Sequence, residues 1–202
     1  MATERSPDVK TPLCRLAFTK TLFVPQVRDN GMKQYGCTLL LPKSTPLADL
    51  KSTVTHVATH TWGKNAVTLV TNGVLHSPFL DGDGPQGASK KTGKRHPGFA
   101  DHVFLRVVSG EDYPPQIFDR RMQRLDDPRD LYSGCYGYAV VNAFSWEDQN
   151  GRGVSFGVSM VQFVKDGERL GGVIPDPSAF FAPLEDDNDG ERDSAGAASL
   201  FD

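Results

Sequence analysis

A mainly β chain closed into a small barrel is the fold class this sequence predicts, and three observations predict it. The first is LYSGCYGYAVVNAFSWEDQNGRGVSFGVSMVQFV at residues 131–164, which reads as two long strands joined by the Asn-Gly turn chemistry of EDQNGRG. The second is how the side chains alternate. Tyr136, Tyr138, Val140, Asn142, Phe144 and Trp146 project to one face, and Gly137, Ala139, Val141, Ala143 and Ser145 to the other. On the second strand Val154, Phe156, Val158 and Met160 alternate with Ser155, Gly157, Ser159 and Val161. A hairpin with one bulky and one nearly bare face can bend strongly, as closing a barrel requires. The third is that the rest of the chain is short apolar runs cut by Gly and Pro, with helical spacing in one place.

Each element follows in order. LCRLAFTKTLFV at 13–24 reads as the first strand, stopped by Pro25, and residues 27–34 as a turn. YGCTLLL at 35–41 is a strand whose continuous apolar end suggests burial on both faces. Ser44 or Thr45 can then cap a helix with Pro46 at its first position, and Leu47, Leu50, Val54 and Val57 recur at helical spacing until Trp62-Gly63. Its Val and Thr content makes it a helix held by packing against the sheet. Residues 67–79 read either way. DGDGPQGASKKTGKRHPG at 81–98 is a long loop of the functional or mobile kind. HVFLRVV at 102–108 and QIFD at 116–119 are strands, 120–130 is a charged turn, and a Gly/Pro-rich wrap follows the hairpin from 165 to 184.

Charge divides the chain. Residues 185–202 hold seven acids and one arginine, −6 net, so that residues 1–184 keep +3 of the total of −3. That tail has too few apolar groups to offset its ordering entropy, and it is expected to be a disordered segment beside a domain spanning 1–184. No apolar run approaches the ~20 residues of a membrane helix, and MATERSPDVK is not a secretory signal, so a cytoplasmic location is expected. Cys14, Cys37 and Cys135 lack metal or disulfide spacing and are expected as buried thiols.

Motifs for catalysis or cofactors fail on context. GDGPQG from Gly82 matches a dinucleotide fingerprint in form, yet Pro and Lys follow where a helix should begin. A calcium loop counted from Asp81 needs Glu at its twelfth position and has Thr92. GASKKTGK has five residues between its glycines where a P-loop has four. His56 and His60 share a helix face without a third ligand or a glutamate between them. No nucleophile elbow is present, so no enzyme, metal or cofactor is expected.

What remains is cations interleaved with aromatic rings on strands: Phe18 with Lys20, Lys33 with Tyr35, Phe104 with Arg106, Phe118 with Arg120 and Arg121, and Phe144 and Trp146 near Arg152. Unpaired nucleic acid needs both, cations for its phosphates and flat rings for its bases. Tyr136, Tyr138 and Phe156, deep in the hairpin, are expected in the core, while Trp146 beside the turn is a stacking candidate. The tail, ending Leu200-Phe201-Asp202, can compete for the same cationic groove or present Phe201 to partners.

In its order of segments the chain resembles the phage single-stranded DNA-binding proteins. The likeness lies in LLLPKS at 39–44, PFLDGDG at 78–84, PQIFDR at 115–120, YSGCYGYAVVNAFSW at 132–146, GRGVSFGVSMVQFVKDGERLGG at 151–172 and the acidic C-terminus closing on Phe-Asp. The resemblance implies an OB-fold, a five-stranded barrel with one helix and long loops. It implies sequence-tolerant binding of single-stranded DNA in phage replication, recombination and repair within the infected host cell. It also implies a tail, shorter here than in long-tailed members, that contacts a polymerase, helicase or primase, and a homodimer. The candidate DNA contacts are Lys20, Lys33, Tyr35, Lys43, Lys90, Lys91, Lys94, Arg95, Arg106, Arg120, Arg121, Phe144, Trp146 and Arg152. Of these, Lys33, Trp146, Arg120 and Arg121 match places where similar proteins carry basic or aromatic residues. The candidate partner contacts are Asp186, Asp187, Asp189, Phe201 and Asp202. Two other readings are a β-barrel interaction or virion protein that does not bind DNA, and a strand-annealing recombinase.

Overall fold

The alternation in the central hairpin becomes two paired strands in the computed structural model, which describes residues 4–28, 31–149 and 151–171. The strands in chain order are β1 (Val9–Lys10), β2 (Cys14–Ala17), β3 (Gln26–Val27), β4 (Lys33–Pro42), β5 (Leu80–Asp81), β6 (His102–Gly110), β7 (Gln116–Phe118), β8 (Tyr136–Asp148) and β9 (Gly151–Lys165). Helix α1 (Ala48–Trp62) and the short α2 (Ala66–Thr71) follow β4, so the ambiguous stretch after residue 66 begins as helix. Five strands pair in a ring. β2 lies antiparallel to β4, β4 to β6, β8 to β9, and β8 to β2. The ring closes where β6 and β9 run parallel through two residue pairs, Val107 with Phe156 and Val108 with Gly157. This is the expected mainly β, barrel-type arrangement.

Which hairpin face turns inward is a finding. The small side chains of β8 (Ala139, Val141, Ala143) are buried, while Tyr136, Tyr138 and Phe144 point outward and are half-buried. Core positions expected for Tyr136 and Tyr138 are therefore corrected, and Phe156 alone of those three is in the core. The reason is complementarity. Phe156 and Val154 of β9 stand opposite Ala143 and Ser145, and Phe144 and Trp146 stand opposite Ser155 and Gly153. Each layer thus holds one large group per cross-strand pair. A bulge places Val140 opposite Met160 but Val141 opposite Val158, and the extra residue between them reverses the alternation. Met160, expected beside Val158, consequently faces solvent.

Two other elements differ from the sequence reading. The first strand ends at Ala17, because Phe18 turns left-handed (φ 55°) and a 3-10 turn, Thr19–Leu22, follows. Helix α1 starts at Ala48 and has no side-chain cap, so Ser44 and Thr45 do not serve as one. The buried face of α1 (Leu50, Val54, Val57 and Ala58) joins the core formed by β2, β4, β6, β8 and β9. Cys14, Cys37 and Cys135 are buried thiols there, and burial pushes Cys14 up to about 12 and Cys135 to about 11. Among the described residues no helix is long and apolar enough to cross a membrane.

Replacing Phe156 by Ala removes the largest side chain that fills the barrel opposite Ala143. Urea unfolding should show a loss of about 3–5 kcal/mol, the range for a buried Phe.

Candidate nucleic-acid interface

A second, smaller apolar cluster lies outside the barrel. Ala17, Leu40 and Phe104, on the outward faces of β2, β4 and β6, are covered by Phe99 of the long loop between β5 and β6. That loop is folded on itself. A Cβ on Gly82 would lie 1.9 Å from the Phe99 carbonyl oxygen, and one on Gly87 would lie 2.1 Å from that of Gly82, so only glycine fits at either place. Asp83 ties it down. Its carboxylate meets Lys43 Nζ at 2.8 Å and Arg95 Nη1 at 3.3 Å, and accepts the Asp101 N–H at 3.1 Å. Asp81 holds the same ammonium at 2.9 Å. The Lys43 ammonium is the main cause that keeps both carboxylates below the usual range, and they in turn raise Lys43. From this anchored base a small hairpin, closed by the Ala88–Arg95 bridge, presents Lys90, Lys91 and Lys94 to solvent.

The part of the β4–β6 outer face that the loop leaves open is a groove of about 170 Å3. Its floor is Gly36, Thr38, Arg106 and Val108, with Thr38 directly opposite Arg106 in the ladder. One wall is β3, whose pairing with β4 brings Arg28 to the edge. At the other side Arg106 donates to the Gln86 carbonyl of the loop at 3.4 Å. Phe18 stands at the end, 47 % exposed, with its ring edge-on to His96 at 5.2 Å and to Phe99 at 6.2 Å. No carboxylate lines this groove among the described residues. Desolvation, and then the like charge of Arg28, hold the Arg106 guanidinium below its ordinary pKa, and arginine stays charged regardless. Two such cations without an acid between them form a site that an anion relieves.

The structure brings some sequence candidates together and separates others. Arg106 and Tyr35 line the groove, and Lys20 lies in the 3-10 turn directly after Phe18. Lys90, Lys91, Lys94 and Arg95 belong to the loop beside it, with Arg95 paired to Asp83. Lys43 is held between two acids, and Lys33 meets Glu111 at 2.8 Å. Arg120 and Arg121 line a separate hollow with Asp119 and Phe163. Phe144, under the Arg5 guanidinium at 5.3 Å, lines another groove of about 710 Å3 with Tyr113 and Asp112. Trp146 stacks on His76 (5.7 Å, 13°) at the end of the hairpin where Arg152 also lies, and its indole N–H is buried without a partner. Sequence reasoning missed Arg28, His96 and Phe99, and left Phe18 out of its site list. The Phe18–Lys20 pair was the available signal; Arg28 arrives through the β3–β4 register alone. Asp186, Asp187, Asp189, Phe201 and Asp202 lie outside the described residues.

Comparison with known proteins gives a consistent picture. A family model described as Enterobacter phage Enc34, ssDNA-binding protein, matches residues 7–192. Putative protein p50 of Acyrthosiphon pisum secondary endosymbiont phage 1 is 30% identical over 172 residues, covering 81% of this chain and 86% of that protein. Among solved structures, the fold resembles the single-stranded DNA-binding protein of bacteriophage Enc34 in complex with ssDNA (TM-score 0.60, 20% identity, 81% of this chain and 89% of that one). It also resembles gp2.5, a single-stranded DNA-binding protein encoded by bacteriophage T7 (TM-score 0.56, 11% identity, 95% and 100%).

The anchoring of the loop carries a pH dependence. Both Asp81 and Asp83 titrate below their ordinary range in the folded chain, so their pairing stabilises the loop above about pH 3.9 and is lost as pH falls through the lowered values. Hydrogen exchange of the Asp101 amide should lose its protection over that acid range while amides in β8 keep theirs.

Proposed function

Since the chain belongs to the Enterobacter phage Enc34 single-stranded DNA-binding protein family, we propose that it binds single-stranded DNA without sequence preference along the outer face of β4 and β6. The observation that carries this reading is the groove that Arg28 and Arg106 line together beside the exposed ring of Phe18, with no carboxylate in its lining among the described residues. Phosphates would take the two guanidinium groups, displacing the counterions that now screen them. A base would stack on Phe18, whose backbone conformation and edge contacts with His96 and Phe99 hold the ring in place. Lys90, Lys91 and Lys94 on the anchored loop would draw the strand in from solution by long-range attraction. Trp146, with one face on His76, is better suited to bracing the end of the hairpin than to taking a base.

On this reading the protein is a binder and not a catalyst. It coats and organises unpaired strands during phage replication, recombination and repair in the cytoplasm of the infected cell. Residues 1–184 form the DNA-binding domain and 185–202 the acidic tail. The tail competes with DNA for the cationic groove and, once displaced, offers Phe201 and Asp202 to replication proteins such as a polymerase, helicase or primase. A homodimer is compatible with this role.

A gel shift with single-stranded against double-stranded oligonucleotides separates this function from that of a barrel that does not bind DNA. Phe18→Ala should weaken oligo-dT binding by about 1–3 kcal/mol, the value of one base–aromatic stack. Arg106→Gln should make the log–log salt dependence shallower by about 0.7, the contribution of one phosphate. Unchanged affinity and slope in both variants would exclude this face. Deleting residues 185–202 should tighten binding at low salt and have little effect at high salt, where screening already removes the competition.

A further inference from the structure

Phe18 belongs to more than one groove. A second hollow, of about 440 Å3, adjoins the first, and both are lined by Phe18 and Thr21. The far one is walled by the 3-10 turn with Lys20, by the segment before β8 with Arg129 and Tyr132, and by the segment after β9 with Arg169. Again no carboxylate lines it among the described residues.

The walls are fixed by bonds that leave the cations exposed. Thr19 N–H donates to Ser133 Oγ at 3.4 Å, and Leu170 N–H donates to the Ser133 carbonyl at 2.8 Å. The Tyr132 hydroxyl lies 2.9 Å from Asp166 Oδ1, and accepts the Gly167 N–H at 3.1 Å. This clamps the ring while the Arg169 guanidinium sits 4.1 Å from its centroid. Leu170 packs on the outer cluster of Phe99 and Phe104, so this wall and the long loop share one support. Of the acids nearby, Asp130 acts on Arg129, and three others have partners of their own. Asp127 grips Arg129, Asp166 meets the Tyr132 hydroxyl, and Glu168 reaches toward Arg15 at 3.9 Å. Lys20 and Arg169 are therefore the cations that this hollow offers to an outside anion.

We infer that the hollow walled by Lys20, Tyr132 and Arg169 is a second subsite for the same single strand, which passes over Phe18 from one cationic groove into the next. This rests on the DNA-binding reading above and adds the strand's path. Phe18 is the shared threshold, a ring on which a base stacks where the chain crosses. Arg169, already lying against the Tyr132 face, presents a plane and a charge together, a combination suited to a nucleotide and not to a lone anion.

The test is length dependence. Fluorescence anisotropy with oligo-dT from about 4 to about 16 nucleotides, the range of site sizes for one such fold, is measured for the full chain and for Lys20→Ala/Arg169→Ala. The variant's deficit should grow with length to about tenfold at low salt, and its salt slope on the longest oligonucleotide should be shallower by about 1.4, the value for two phosphates. The charge-reversed Lys20→Glu/Arg169→Glu should deepen the same deficit, with circular dichroism unchanged in both. A deficit equal at all lengths, or none at any length, overturns the second subsite while leaving the first groove in place. A wild-type chain that binds no oligo-dT of any length overturns the function itself.

Discussion

The fold depends on one packing relation, the match of large against small across β8 and β9. The interior of a small barrel has room for one large side chain per cross-strand pair. Here β9 provides it, through Phe156 and Val154, opposite Ala143 and Ser145 of β8. The displaced bulk of β8 then covers the outside, where Lys10 sits 3.9 Å from the Tyr138 centroid and Lys165 4.9 Å from that of Tyr136. Closing the ring is thereby coupled to coating it with the outer side chains of β8.

The outer wall of β2, β4 and β6 is coated differently. The outward faces of β2, β4 and β6 carry apolar residues at one end and polar ones at the other, and the long loop covers only the first. What stays open is bounded by Arg28 and Arg106, with no carboxylate in its lining among the described residues. Several cations elsewhere are paired with acids: Lys33 with Glu111, Lys43 with Asp81 and Asp83, Arg95 with Asp83. Charge composition alone overstates the cations left unpaired, because this pairing is visible only in three dimensions.

The strands were legible in the sequence because period-2 alternation and Gly/Pro punctuation are local properties. The inward face was not. Alternation gives two faces and does not say which is inside, and the bulge at Ser159 reverses the parity of Met160 through an insertion that no local pattern marks. The first strand was read too long because LCRLAFTKTLFV is apolar throughout, and its break lies in the backbone angle of one residue, Phe18. Of the candidate site, Arg106, Tyr35 and the basic loop were legible as cations and rings on strands and loops. Arg28 was hidden in a turn whose register with β4 decides where it points. Lys43 was legible as a cation and its pairing was not, since its two carboxylate partners lie some forty residues away in sequence.

Phe18 occupies a left-handed backbone conformation that costs a residue with a Cβ about 1–2 kcal/mol and glycine almost nothing. The substitution that would most relax this corner is therefore also the one that would erase its ring. The phenylalanine there sets local backbone strain against a ring that stays 47 % exposed.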